Sequence, residues 1–217
     1  MITLEELKKD EEISIYITRA DESLRALGFT EHSFPHVTRV AETAAYLLRT
    51  LGYDEHTVEI ARVAAYLHDI GNLVNRVDHS QSGAIIAFRI LEHKGMPAAD
   101  IATIVTAIGN HDEGTGVPVN PLAAALILAD KSDVRRSRVR NPDITTFDIH
   151  DRVNYSVTSS RLEVVDGAIR LSLEIDTDIS PVMDYFEIFL ARMTLCRKAA
   201  ATLGLPFRLV INGQRLF

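Results

Sequence analysis

The sequence predicts a mainly α protein: a helical bundle followed by a small C-terminal antiparallel β-sheet plus helix. Three observations carry this reading. Apolar residues recur at three- and four-residue spacing from the N-terminus to about residue 140. Asn141-Pro142 breaks that pattern. Beyond it, two apolar runs flank Asp166-Gly167, the dipeptide of a tight hairpin turn. With 217 residues, 47% hydrophobic and 24% charged, the chain has apolar mass for one sizeable core, and neither disorder nor a coiled coil describes it. The expected division is a helical core over residues 1–140 and a small α+β extension over 141–217 that packs on it.

The elements follow in order. After a charged opening segment, Val37, Val40, Ala41, Ala44, Leu47, Leu48 and Leu51 mark one face of a helix that Gly52 ends with a left-handed cap. Asp54 is the N-cap of the next helix, which runs through Ile60, Val63, Ala64 and Leu67 to Gly71. Two more are expected, from about Ser80 to Lys94 and from Pro97 to Asn110. Another starts at Asn120-Pro121, a capping residue before the proline favoured in a first turn, and carries the run LAAALILA. In the extension, Val153 to Val165 and Ala168 to Ile175 form the expected hairpin, Ser180-Pro181 opens a helix to about Leu203, and Phe207 to Ile211 is a further strand.

Charge and cysteine usage narrow the function classes. A net charge of −7 argues against coating nucleic acid or an anionic membrane. The single cysteine, Cys196, allows neither an internal disulfide nor a thiolate zinc site, and fits a reducing compartment. The opening MITLEELKKDEE is too charged for a signal peptide, and the longest apolar run, Leu122 to Ala129, is far short of the roughly 20 residues of a membrane span. A cytoplasmic protein is expected, with no membrane partner; a homo-oligomer is compatible with the sequence.

Eight histidines then stand out. His36 lies on the core stripe of its helix, His68 follows Ala64 and Ala65 by one turn with Asp69 beside it, and Asp130 comes directly after LAAALILA. Carboxylates in such positions are expensive without a cation, so a metal or a basic side chain is required there. His79 and His111 sit at ends of neighbouring helices and are able to face the same bundle centre. Imidazole and carboxylate without thiolate suit iron, manganese, zinc, nickel or cobalt. Two ions roughly 3.5–4 Å apart would clamp a phosphoryl oxygen.

HVTRVAETA from His36, YLHDIGN around His68 and Asp69, DHSQSGA around His79, GNHDEGTG around His111 and LADKSD around Asp130 together resemble the HD superfamily of metal-dependent phosphohydrolases, in the family's order, over about residues 32 to 140. The resemblance implies an HD-type helical core in which His36, His68, Asp69 and Asp130 hold one divalent transition metal, iron or manganese first. His79 and His111 would complete a second site, with Asp69 bridging and orienting as the central catalytic residue. The spacing of Asp130, Asp133 and Arg136 looks most like bacterial enzymes that hydrolyse dinucleoside polyphosphates. One departure is Asn72, where many relatives carry a lysine able to face phosphate.

Directly after Asp130, the segment Lys131 to Arg140 holds five basic residues and one acidic one. Lys131, Arg135 and Arg136, joined by Arg39 one turn beyond His36, are the expected binders of a small phosphorylated substrate, a nucleotide or related metabolite. Asp133 is expected to pair with Arg136 at helical spacing, and Asp112 and Glu113 to cap locally. His32, His56, His93 and His150 read as surface residues, and Cys196 as inert packing. The alternative to an enzyme is a nucleotide-binding regulatory module with weak or no turnover, for which Asn72 is the pointer; RNA processing through the arginine segment ranks last because of the acidic total.

Overall fold

The computed structural model describes residues 2–216. Its first part is a helical bundle: α1 (Leu4–Leu7), α2 (Glu11–Ala26), α3 (Phe34–Thr50), α4 (Glu55–Leu67), α5 (His79–His93), α6 (Ala98–Gly109) and α7 (Pro121–Ser132). The punctuation read from the sequence works as expected at three ends. Asp54 accepts from the Thr57 N–H, Asn120 accepts from the Ala123 N–H ahead of Pro121, and Gly52 takes the left-handed conformation after α3 at φ 82°.

Helix α7 organises the bundle. Leu122 through Ala129 are all buried, so this helix is apolar on every side and sits at the centre, packed by α3, α4, α6 and α9 (Val182–Thr202). Its small residues, Ala123, Ala124, Ala125 and Ala129, let the neighbours approach closely, and its length carries Asp130 into the middle of the molecule. A single apolar core runs from α1 through α7 into the strands and α9, across residue 141.

The C-terminal part contains α8 (Ile149–Ser156), β1 (Val157–Val165), β2 (Ala168–Ile175), α9, β3 (Phe207–Ile211) and β4 (Gln214–Arg215). Two details differ from the sequence expectation. Val153 to Ser156 belong to a helix, because the Asp148 side chain accepts from the Asp151 N–H and starts a helical turn there. The sheet, in the order β1-β2-β3-β4, is mixed rather than antiparallel: β2 and β3 run parallel with Ile169 opposite Phe207. The long α9 between them is the cause, since a helical crossover returns the chain to the same end of the sheet. The hairpin is as expected, with Asp166 and Gly167 at φ 51° and 66°, the left-handed pair of a primed turn.

Helix α9 fastens this part to the bundle. Tyr185, Phe189, Met193, Leu195, Cys196, Ala199 and Ala200 are buried on it, and each of its large apolar side chains contributes about 1.5–3 kcal/mol of transfer free energy. The same burial pushes the Cys196 thiol up to about 12, consistent with inert packing.

Candidate metal centre

Five helices deliver polar side chains to one point in the bundle. The first turn of α3 supplies His36, and the end of α4 supplies His68 with Asp69 in the turn that follows. The start of α5 supplies His79, the residue after α6 and Asn110 is His111, and the last turn of α7 supplies Asp130. Gly71 makes the α5 approach feasible. A Cβ there would lie 1.9 Å from the His79 carbonyl oxygen and 2.4 Å from the Gly83 nitrogen, so any side chain would push α5 away. Asp78, just before His79, takes φ 55°, a left-handed conformation that costs about 1 kcal/mol and swings His79 inward.

The six side chains converge closely. Nε2 of His36 lies 3.5 Å from Asp69 Oδ2 and 3.4 Å from Asp130 Oδ1, and Nε2 of His68 lies 3.3 and 3.7 Å from the same two oxygens. On the other side of Asp69, Oδ1 lies 3.5 Å from His79 Nε2, which is 3.2 Å from Nε2 of His111. All four histidines are buried, with His36, His68 and His111 wholly enclosed.

The hydrogen bonds behind the rings determine what they offer in front. Nδ1 of His68 donates to the Ala65 carbonyl at 2.7 Å, Nδ1 of His111 to Ile108 at 2.6 Å, and Nδ1 of His79 to Arg76 at 3.1 Å. Nδ1 of His36 donates to Asp133 Oδ2 at 2.8 Å. With the proton held on Nδ1, each neutral ring turns an Nε2 lone pair inward. Lone pairs then face carboxylate oxygens, an arrangement that repels unless a cation lies among them.

The buried atoms left without a hydrogen-bond partner include His36 Nε2, His68 Nε2 and Asp69 Oδ2. Their ligand atoms lie close enough together for His36, His68 and Asp130 to share one ion, and for His68, Asp69 and His111 to share one. The donor set therefore fits a divalent transition cation. Without a cation, protons do the neutralising. Burial opposes a charge on His68, yet Asp69 and Asp130 overcome it and raise the imidazole to about 10. Burial likewise opposes ionisation of Asp69 and Asp130, but His68 with His36, and Lys131 beside Asp130, hold both carboxyls well below the usual range. Burial lowers His79 and His111, which favours the neutral form of both rings.

Supporting contacts surround the cluster. Asn72 donates from Nδ2 to the Asp69 carbonyl at 2.9 Å and to Asp69 Oδ1 at 3.0 Å, so the residue at the lysine position of many relatives orients the central carboxylate. Lys131 is buried with Nζ 2.8 Å from Asp130 Oδ2 and 2.6 Å from Glu113 Oε2, and Arg192 donates from Nε to Glu113 Oε1 at 2.9 Å. Glu113 is thus a link to α9, not the local cap expected; burial opposes its charge, but Lys131 and Arg192 hold its carboxyl far down. Asp112 does cap locally, accepting from the Gly114 N–H.

The expected substrate-binding residues are placed differently from one another. Lys131 lines the recess over the metal centre, which it shares with Asp69, His79, His111 and Asp130. Arg39, Arg135 and Arg136 do not line it. Arg39 is half exposed beside Asp133 and β1, Arg135 pairs with Glu31 and Asp133, and Arg136 stacks on Tyr155 with its guanidinium 4.4 Å from the ring centre. Asp133 accordingly pairs with His36, Arg39, Arg135 and Arg138, and not with Arg136.

Arg138 of the basic segment lines the recess as well, together with three residues that carry no strong sequence signal, His32, Arg76 and Arg192. His32 is no surface residue. It is half-buried against His36, ring centres 5.5 Å apart, and burial with the nearby Arg138 cation lowers its imidazole well below the ordinary value. Arg76 was detectable in principle as the one cation between Asp69 and His79. His56, 52% exposed and paired with Asp100, fits the surface reading.

The sequence pattern of the HD domain family matches residues 34–135. An uncharacterized protein of Methanocaldococcus jannaschii is 27% identical over 85% of this chain and 78% of its own length. Among solved structures, a predicted HD superfamily hydrolase from an uncultured Thermotogales bacterium is 25% identical, covering 62% of this chain and 75% of that one, with a TM-score of 0.45.

Proposed function

We propose that the chain, whose residues 34–135 match the HD domain family, is a metal-dependent phosphohydrolase that cleaves a phosphate ester or anhydride of a small metabolite, a nucleotide first, at a centre for two divalent ions. His36, His68, Asp69 and Asp130 would hold the first ion and His79 and His111 the second, with Asp69 offering one oxygen to each side. The observation that supports this most directly is the inward Nε2 of all four histidines, each fixed by an Nδ1 hydrogen bond, against two buried carboxylates. The imidazole and carboxylate set without thiolate suits iron, manganese, zinc, nickel or cobalt, and we take iron or manganese first from the resemblance.

Bound there, divalent ions supply Lewis acidity, acidifying water and drawing charge from a phosphoryl oxygen. The chain does the rest. Asp69 separates the two histidine groups, and Asn72 keeps its carboxylate in that orientation. Asp133 keeps the Nδ1 proton on His36, and so the ligating lone pair in front. Lys131 neutralises the rear oxygen of Asp130 and leaves Oδ1 toward the histidines.

The test is metal analysis of the purified full chain together with hydrolysis of a panel of nucleoside monophosphates and dinucleoside polyphosphates. Stoichiometric transition metal and release of phosphate or mononucleotide, both lost in Asp69→Asn, are expected. A chain that holds no metal, or an Asp69→Asn variant with unchanged turnover, would sink the reading.

A further inference from the structure

Beyond the metal centre the recess adjoins a cavity of about 260 Å³, and both parts of the chain build it. Phe29, His32 and Arg76 come from the bundle side, and Asp148, Asn154 and Arg192 from the C-terminal part. His32, Arg76, Arg138 and Arg192 line the cavity and the recess alike, so they stand where the two meet, and of the three arginines Arg76 and Arg192 keep more donors free. They are set in the same manner. The Arg76 guanidinium lies over Phe29, 5.6 Å from the ring centre, and that of Arg192 over Phe189 at 4.3 Å. An aromatic face beneath a guanidinium limits its motion and leaves its edge donors available.

Each arginine uses only part of its fork within the protein. Arg76 contacts Asn72 and His79 through Nη1 at 3.4 Å, and the same atom is 3.9 Å from Asp69 Oδ1. Arg192 donates through Nε to Glu113. The remaining guanidinium nitrogens of both show no acceptor among the described residues, although both side chains are about three-quarters enclosed. Arg135 and Arg138, by contrast, spend several nitrogens on Glu31, Asp133 and backbone carbonyls.

We propose that Arg76 and Arg192 are the substrate-binding pair of this hydrolase, gripping the non-bridging oxygens of a phosphomonoester while the cavity takes its leaving group, so that α9 is part of the active site. This rests on the phosphohydrolase reading above and narrows its substrate class. The arginines cluster at the metal end, whereas the wall beyond carries the Asp148 and Asp151 carboxylates with the His150 imidazole and the neutral Asn154 amide. A second phosphoryl group placed there would meet negative charge, while hydroxyl or amino groups would find acceptors. Phe29, 40% exposed, offers a flat apolar face for a ring in the leaving group. In the reaction a water oxygen bonds to phosphorus, the bond from phosphorus to the leaving oxygen breaks with its electron pair, a water proton passes to that oxygen, and orthophosphate and an alcohol result.

The experiment uses the full chain loaded with Mn²⁺, with p-nitrophenyl phosphate and bis(p-nitrophenyl) phosphate as monoester and diester, and calorimetric binding of orthophosphate as a readout independent of turnover. The monoester is expected to be preferred at least about tenfold in kcat/KM. Arg76→Gln and Arg192→Gln should each raise the orthophosphate Kd and the monoester KM about tenfold, the scale of one lost charge-assisted hydrogen bond, at unchanged metal content. Arg192→Lys, which retains the charge beside Glu113 but not the fork, should recover only part of the affinity. Arg161→Gln, on the far exposed strand, should change neither.

An active wild type with either glutamine variant binding orthophosphate normally, or with diester cleaved as well as monoester, overturns this proposal and leaves the hydrolase reading intact. A wild type that holds metal but cleaves neither compound overturns the hydrolase reading; orthophosphate binding that still depends on both arginines then retains the anion pair alone. Because Arg76 stands outside the Glu113 ion pairs, it decides the matter should Arg192→Gln fail to fold.

Discussion

The candidate metal centre and the cationic strip that follows it, Lys131 to Arg140, are both dense in charged side chains and meet at Asp130-Lys131. In the strip, each arginine has acceptors from the protein, although Arg136 Nη2 and Arg140 Nε are buried without one. Arg135 takes Glu31 and Asp133, Arg138 takes the Glu31 and Asp133 carbonyls, Arg136 takes the Tyr155 carbonyl, and Arg140 takes Asp21. In the centre, acceptors face acceptors, and His36 Nε2, His68 Nε2 and Asp69 Oδ2 have no hydrogen-bond partner. Charge density is therefore a poor marker of a site. Groups positioned at a cost, with their capacity unspent, are the better one.

The largest effect should come from the residue shared by both halves of the centre. Asp69→Asn removes the carboxylate charge while keeping its shape, and is expected to lower turnover about a thousandfold or more, equivalent to several kcal/mol of barrier. It should also abolish the rise in melting temperature that added Mn²⁺ gives the wild type, since an ion that binds only the folded chain stabilises it. Equal Mn²⁺-induced shifts in both proteins would contradict the assignment. Asp133→Asn probes the junction, because this carboxylate holds His36 from behind while anchoring Arg39 and Arg135. A loss of about 10–100-fold in metal affinity is expected, the scale for an outer-shell partner of a ligating histidine; titration with a fluorescent metal competitor measures it.

Much of this centre was legible in the sequence for a physical reason. Histidine and aspartate at His36, His68, Asp69 and Asp130 interrupt stripes that burial otherwise keeps apolar, so each advertises a need for a partner. What periodicity does not carry stayed hidden. His32 precedes its helix and has no stripe to interrupt, and Arg192 reaches the recess from α9 through tertiary packing alone. The strip is ambiguous in sequence, since a run of arginines looks the same whether its partners are phosphates or the chain's own carbonyls, and of its basic residues only Lys131 and Arg138 line the recess. In the extension, the hairpin was readable from Asp166-Gly167, but the direction of β3 depends on where α9 docks, a long-range matter.

Within the strip, burial grades the expected cost. Arg138 is 5% exposed, and Nε and Nη1 bind the carbonyls of Glu31 and Asp133 at 2.8 and 2.7 Å. Arg138→Met strips those carbonyls of donors and leaves Asp133 with one cation fewer, so about 3 kcal/mol of stability should be lost, in line with breaking a buried charge pair from one side. Chemical denaturation checks it. A loss below about 1 kcal/mol would mean that water replaces the guanidinium, and that this part of the strip is more open than its burial indicates.

Arg136 lies at the other end of the scale and gives the sharpest contrast with the centre. Its guanidinium stacks on Tyr155, donates to the Tyr155 carbonyl at 2.7 Å and reaches Asp176 only at 4.0 Å, with the side chain 41% exposed. Solvent screens such a pair, and an exposed cation over an aromatic ring contributes about 0.5–1 kcal/mol. Arg136→Gln should therefore shift stability by no more than about 1 kcal/mol and leave metal content and the KM for p-nitrophenyl phosphate unaltered. A raised KM with normal metal content would place this residue on the substrate after all. The strip would then contribute to binding through a change in conformation, because its present contacts direct Arg136 toward α8 and away from the recess.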